Sequence, residues 1–157
     1  MRNLYAATLY PGVGMIEYAN VSVGRGTDTP FEQIGAPWIN GPALADALNA
    51  RKIPGLRFYP VTFTPTAAKF PNEACQGVFI VITDRNLVRA TRLGAELAAA
   101  LIKMSPKDFS MDANLRLIGS PSDIARLKAG DDPAAIAASW SGAEARWRLL
   151  RAKYLLY

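Results

Sequence analysis

Histidine is absent from the 157 residues, and cysteine occurs once, at Cys75. Without an imidazole the chain holds no Ser-His-Asp or Cys-His nucleophile system, no histidine-bound zinc and no imidazole general base. A single cysteine excludes an internal disulfide and every multi-cysteine metal cluster. No apolar run reaches the about 20 residues that a bilayer-spanning helix needs, and the most apolar stretch is interrupted by Glu96 and Lys103. The start, Met1-Arg2-Asn3-Leu4-Tyr5, carries no apolar signal core, so the targeting segment of an exported parent would lie outside these residues.

Glycine is present without the spacings that bind nucleotides. Gly12-Val13-Gly14 is followed by Glu17 where a dinucleotide fingerprint needs its third glycine. No Gly-x-x-x-x-Gly-Lys-Ser/Thr loop occurs, nor any Asp-x-Asp-x-Asp-Gly calcium loop. Nothing in the sequence calls for a cofactor or a metal. Chemistry is left to carboxylates, tyrosines, lysines, arginines, hydroxyls and backbone amides.

What is there suits one globular domain over 1–157. The composition is 50% hydrophobic, too apolar for a disordered tail and long enough to bury a core. The net charge of +5 gathers toward the end in Arg146, Arg148, Arg151 and Lys153. That cluster is either a solvated helix face or a contact for an anionic polymer. No aromatic-basic RNA-binding pattern accompanies it, and no nucleic acid partner is expected.

Along the chain, Leu4 to Leu9 is predicted as a short strand closed by Pro11-Gly12. A β-prone stretch from Val13 to Val23 is bracketed by glycines, making residues 11–40 a loop-rich candidate binding segment. Asn40 caps a short helix ended by Pro54-Gly55, and Leu56 to Thr64 is a strand that Pro60 assigns to an edge or a bulge. Residues 65–76 form a second polar loop, and the β-branched run Gly77 to Thr83 suits a central strand buried on both faces. From Asn86 the spacing of Val88, Leu93, Leu97, Leu101 and Met104 is helical, as far as Ser105-Pro106. Ser120-Pro121 and Asp132-Pro133 each open a helix. The last helix is expected to turn Ile136, Trp140, Trp147 and Leu150 to the core, with the apolar end docked on the domain. The sum is a mixed α/β (α+β) fold, a small β-sheet packed by helices.

Glu17, Asp28 and Glu32 lie in or beside the glycine-rich loops, and two carboxylates about 5–9.5 Å apart suffice for glycoside hydrolysis. Equally, Asp28 caps a turn, Glu32 pairs with a basic neighbour and Glu17 is simply exposed. Arg25 between Gly24 and Gly26 is placed either to grip a carboxylate or to sit solvated on a turn. Asn20 and Thr27 are candidate donors to a sugar or an amide. Trp38 and Tyr59 are sugar-stacking or core aromatics, and Cys75 is a structural thiol.

The string Tyr10-Pro11-Gly12-Val13-Gly14-Met15-Ile16-Glu17-Tyr18-Ala19-Asn20-Val21-Ser22-Val23-Gly24-Arg25-Gly26-Thr27, continued by Pro30 to Ile39, resembles one family closely. Phe63-Thr64-Pro65, Cys75-Gln76-Gly77-Val78, Val81-Ile82-Thr83-Asp84 and Tyr154-Leu155-Leu156-Tyr157 extend the resemblance down the whole chain. The family is the one once filed as domain of unknown function 1343 and associated with exo-β-N-acetylmuramidases of the NamZ type. The resemblance implies the C-terminal domain of a two-domain protein, with a Rossmann-like N-terminal domain outside this chain as its partner and the active site in the cleft between them. It implies an extracytoplasmic parent that releases N-acetylmuramic acid from the non-reducing ends of peptidoglycan fragments, its principal catalytic glutamate in the N-terminal domain. Glu17 would assist catalysis, while Asn20, Arg25, Gly26 and Thr27 would bind substrate, Arg25 holding the lactyl carboxylate. Where the family usually has Glu-Gly-Thr-Asn, this chain has Glu17-Tyr18-Ala19-Asn20. The alternative is a non-catalytic peptidoglycan- or carbohydrate-binding module.

Overall fold

A computed structural model describes residues 3–156. Its centre is a three-stranded antiparallel sheet in the order β1-β3-β2, with β1 over Gln33–Ala36, β2 over Leu56–Phe63 and β3 over Cys75–Ile82. The β-branched run is the central strand, as its composition predicts. Val78 and Ile80 are wholly buried, but Phe79 and Val81 are half-exposed, so burial is complete on one face only. Pro60 pairs with Val78 from the edge strand β2, where a missing N–H costs no second ladder bond.

The expected first strand is a helix, α1 over Leu4–Val13. The Asn3 side chain accepts from the Ala6 N–H at 2.7 Å, and Ala6, Leu9 and Val13 bury one face at helical spacing. Pro11 lies inside the last turn, and the chain continues into a 3-10 turn over Gly14–Ile16. Of the β-prone stretch only Ser22 pairs, with Gly35 of β1. Tyr5 ties α1 to the central strand, donating to the Ile80 carbonyl at 2.8 Å and accepting from the Ile82 N–H at 2.7 Å.

Helix α2 spans Gly41–Ala50, with Asn40 accepting from the Ala43 N–H, and α3 spans Ala90–Met104. Leu93, Leu97 and Leu101 of α3 are buried against α1 and α2, whereas Met104 is partly exposed at its end. Short α4 (Leu115–Ile118) leads to α5 (Pro121–Ala129) and α6 (Pro133–Ser139), capped by Ser120 and Asp132 as their sequences predict. The expected single last helix is broken at Trp140, and α7 occupies Ser141–Ala152. Ile136 is buried and Trp140 half-buried, its indole donating to Asp123. Trp147 and Leu150 are more than half exposed, as are Tyr154, Leu155 and Leu156, so this end is not docked on the domain. Tyr157 lies outside the described residues. The reason is spacing: α7 carries arginines between its apolar residues and buries none of them.

Candidate functional site

The site begins where α1 and its 3-10 extension run out at Glu17. Beyond it, residues 18–32 form the glycine-rich segment, closed by two left-handed glycines. Gly24 has φ +77°, and a Cβ there would meet the Thr29 carbonyl at 2.8 Å. Gly26 has φ +81°, and a Cβ there would meet the Ala67 nitrogen at 2.4 Å. Glycine is therefore required twice, once by the turn and once by a neighbouring loop lying on it.

That neighbour is the second polar loop, 64–74. Thr66 donates to the Gly26 carbonyl from both its N–H and its hydroxyl, each at 2.9 Å. Thr27 closes the turn from within: its hydroxyl donates to the Gly24 carbonyl at 2.7 Å and accepts from Thr29 N–H and Gln33 Nε2. Asn20 accepts from the Ser110 N–H at 2.8 Å and donates to the Asp108 carbonyl, which ties segment 108–110 to the start of this loop.

Arg25 projects from between the two glycines. Its Nε donates to the Glu17 carboxylate, and its guanidinium lies 4.9 Å from the Phe31 ring centroid. Phe31 has φ +68° and packs edge-on against Tyr10 at 4.8 Å. The arginine is thus oriented by a carboxylate on one side and an aromatic face on the other. Among the described residues its terminal nitrogens have no partner, and half of the side chain is exposed. Two shallow grooves flank it. One runs past Gly26, Thr27, Asp28, Phe63 and Thr66, and the other past Glu17, Tyr18, Ser22 and Lys69.

Of the residues singled out in the sequence, Glu17 and Arg25 are in contact, and Gly26 and Thr27 continue along the same groove wall. Asn20 stands apart with both side-chain polar atoms engaged by 108–110. Glu32 accepts from the Asn3 amide at 3.0 Å, and among the described residues it pairs with no basic group. Trp38 packs against the core near Phe109, while Tyr59 is exposed on edge strand β2. Cys75 is buried, and burial, with Glu73 beside it, pushes its thiol up. Thr66 and Lys69 escaped the sequence reading, because only the fold brings loop 64–74 against residues some 40 positions earlier, and the place of Phe31 against Arg25 is likewise set by the folded turn. Among the described residues no three carboxylate or thiol side chains converge on one point, and no helix is long and apolar enough to cross a membrane.

An antiparallel sheet covered by helices in this order is the fold of a domain found in the DUF1343 proteins. Two crystal structures of DUF1343 family proteins from Bacteroides fragilis NCTC 9343 share the fold, each at 24% identity. One aligns with a TM-score of 0.70 over 96% of this chain and 42% of its own, the other with 0.73 over 99% and 41%. The family model for the C-terminal part of the exo-beta-N-acetylmuramidase NamZ matches residues 8–157, and the chain belongs to this family. Peptidoglycan beta-N-acetylmuramidase NamZ of Bacillus subtilis (strain 168) is 33% identical over 160 residues, covering 100% of this chain and 39% of the relative. The chain therefore spans about two-fifths of the length of the relatives it matches.

Proposed function

We propose that this chain forms one wall of the substrate site in a peptidoglycan exo-β-N-acetylmuramidase, acting outside the cytoplasm where that polymer lies. The observation that carries the reading is the Glu17–Arg25 pair. Glu17 takes up Nε and fixes the plane of the guanidinium, leaving the terminal nitrogens to donate to a carboxylate. A muramyl residue differs from glucosamine by a lactyl ether that ends in such a carboxylate. Gly26 lets the second loop close on the site, and Thr27 and Asn20 hold the backbone around it. Glu17 assists by orienting Arg25, and the principal acid of the reaction comes from the part of the parent outside this chain.

The test is NMR shift perturbation of the 157-residue chain by N-acetylmuramic acid and by N-acetylglucosamine. Shifts over residues 17–27 that saturate at lower concentration with the muramic sugar than with N-acetylglucosamine, the binding being lost in Arg25→Ala, are expected. No shift with either sugar overturns the reading. The binding-module alternative is favoured by the commitment of Glu17 to Arg25 and shares this result. It parts from the leading reading in a full-length parent, where Glu17→Gln would then leave turnover unchanged.

A further inference from the structure

We infer that Lys69 and Tyr18 complete this site, Lys69 as a second cation for the ligand's carboxylate and Tyr18 as the platform for its sugar ring. The inference rests on the functional reading above and adds two residues to it.

The groove on the Lys69 side is lined by Glu17, Tyr18, Ser22, Arg25 and Lys69. It holds two cations against one carboxylate, and that carboxylate is already committed to Arg25. Lys69 makes no ion pair among the described residues. The groove therefore carries one uncompensated positive charge, which a ligand with a single carboxylate neutralises. Arg25 offers that carboxylate its terminal N–H groups, while its charge is already balanced by Glu17, so Lys69 adds the net attraction.

The backbone around Lys69 has the form of a positioned residue. Ala68 and Phe70, on either side of it, have φ +69° and +56°, and Asn72 has φ +64°. Three non-glycine residues in the left-handed region within five positions are unfavourable, and such conformations persist only where surrounding contacts impose them. Here the contacts are the double hydrogen bond of Thr66 to Gly26, the Asn72 N–H bond to the Pro65 carbonyl at 2.7 Å, and Phe70 packed on the core. The loop is held against the Arg25 turn, and Lys69 is the charged side chain it brings to the groove.

Tyr18 is half exposed beside Glu17 on the same groove, a large aromatic that the core does not use. Its ring presents an apolar face and a polar tip, which suits a pyranose. Lys69 reads the substituent and Tyr18 reads the ring.

The experiment titrates the 157-residue chain and its variants with N-acetylmuramic acid and with N-acetylglucosamine, following amide shifts. Lys69→Ala is expected to weaken N-acetylmuramic acid roughly tenfold, the loss of one charge-assisted hydrogen bond, and to leave N-acetylglucosamine unchanged. Lys69→Arg restores the preference. Tyr18→Ala weakens both sugars by a similar factor, and Tyr18→Phe does not. An unchanged ratio of the two affinities in Lys69→Ala, with binding lost in Arg25→Ala, overturns the Lys69 assignment and leaves the site reading standing. Unchanged binding of both sugars in Tyr18→Ala overturns the platform. A wild-type chain that binds neither sugar overturns the functional reading and this inference together.

Discussion

Arg51, at the end of α2, donates its Nε at 2.7 Å to the carboxylate of Glu96, which is 1% exposed in the middle of α3. A second guanidinium nitrogen of Arg51 reaches the other Glu96 oxygen at 3.2 Å, and Arg92 one turn earlier donates to it as well. Arg51 also pairs with Asp132 at the start of α6. Arg51 thereby joins three helices, α2 at its own position, α3 through Glu96 and α6 through Asp132. The bond to Glu96 is the chief cause that holds the Arg51 guanidinium above its ordinary value, with Asp132 adding to it.

Removing the buried partner leaves two arginines facing an empty position. Glu96→Ala is expected to cost about 3 kcal/mol, in line with breaking a buried pair. Arg51→Ala is expected to cost less, because Arg51 is 40% exposed and Arg92 remains. Urea unfolding followed by circular dichroism checks the order. Equal midpoints for Glu96→Ala and the wild type would refute it.

Asp132 contributes to stability on the acid side. Its carboxyl is held below its ordinary value of 3.8, first by the Arg51 hydrogen bond and then by the Ala134 N–H. The unfolded chain therefore takes up the proton at higher pH than the folded one. The contribution is present above about pH 4 and is lost as pH falls toward the lower folded value. Asp112, lowered by Lys128, has the same sign and is unaffected by changes at Asp132. Asp132→Asn is expected to be less stable than the wild type at pH 6 and to approach it by pH 3, read from melting temperatures across that range.

Gly12 sits where α1 crosses α3. A Cβ added there would lie 2.0 Å from the Ala90 carbonyl oxygen, and one on Gly94 would lie 2.7 Å from the Gly12 carbonyl oxygen. Backbone must move to admit either. Gly12→Ala is expected to destabilise by about 2 kcal/mol or more, a fall of roughly 4–8 °C in Tm. A melting temperature within about one degree of wild type would show that the helices can separate without cost.

The parts legible in the sequence are those whose cause is local. Ser120-Pro121, Asp132-Pro133 and Asn40 cap helices because a short polar side chain reaches an N–H two or three residues on, whatever surrounds it. Pro60 on the edge strand, the run Gly77 to Thr83 at the centre, and the left-handed turns at Gly24 and Gly26 follow from backbone constraints carried by single residues. The family motif is of this kind as well, since a contiguous string is legible without a fold.

Where expectation and structure part, a distant partner is the cause. Leu4 to Val13 has no strong periodicity of its own. It is helical because Gly12 and Gly94 allow close approach to α3 and because Tyr5 reaches β3. Trp147 and Leu150 have an apolar pattern that predicts a core face, but broken spacing at Trp140 turns α7 away from the domain.

The sequence by itself determined the α+β class, the helix caps, the edge and central strands and the family, because each is written in neighbouring residues. Only the tertiary structure decided that Glu17 would orient Arg25, that Phe31 would lie under it, and that a loop some 40 residues away would close on Gly26 and carry Lys69 to the groove. Those contacts depend on how the elements pack in three dimensions, and no spacing along the chain encodes them.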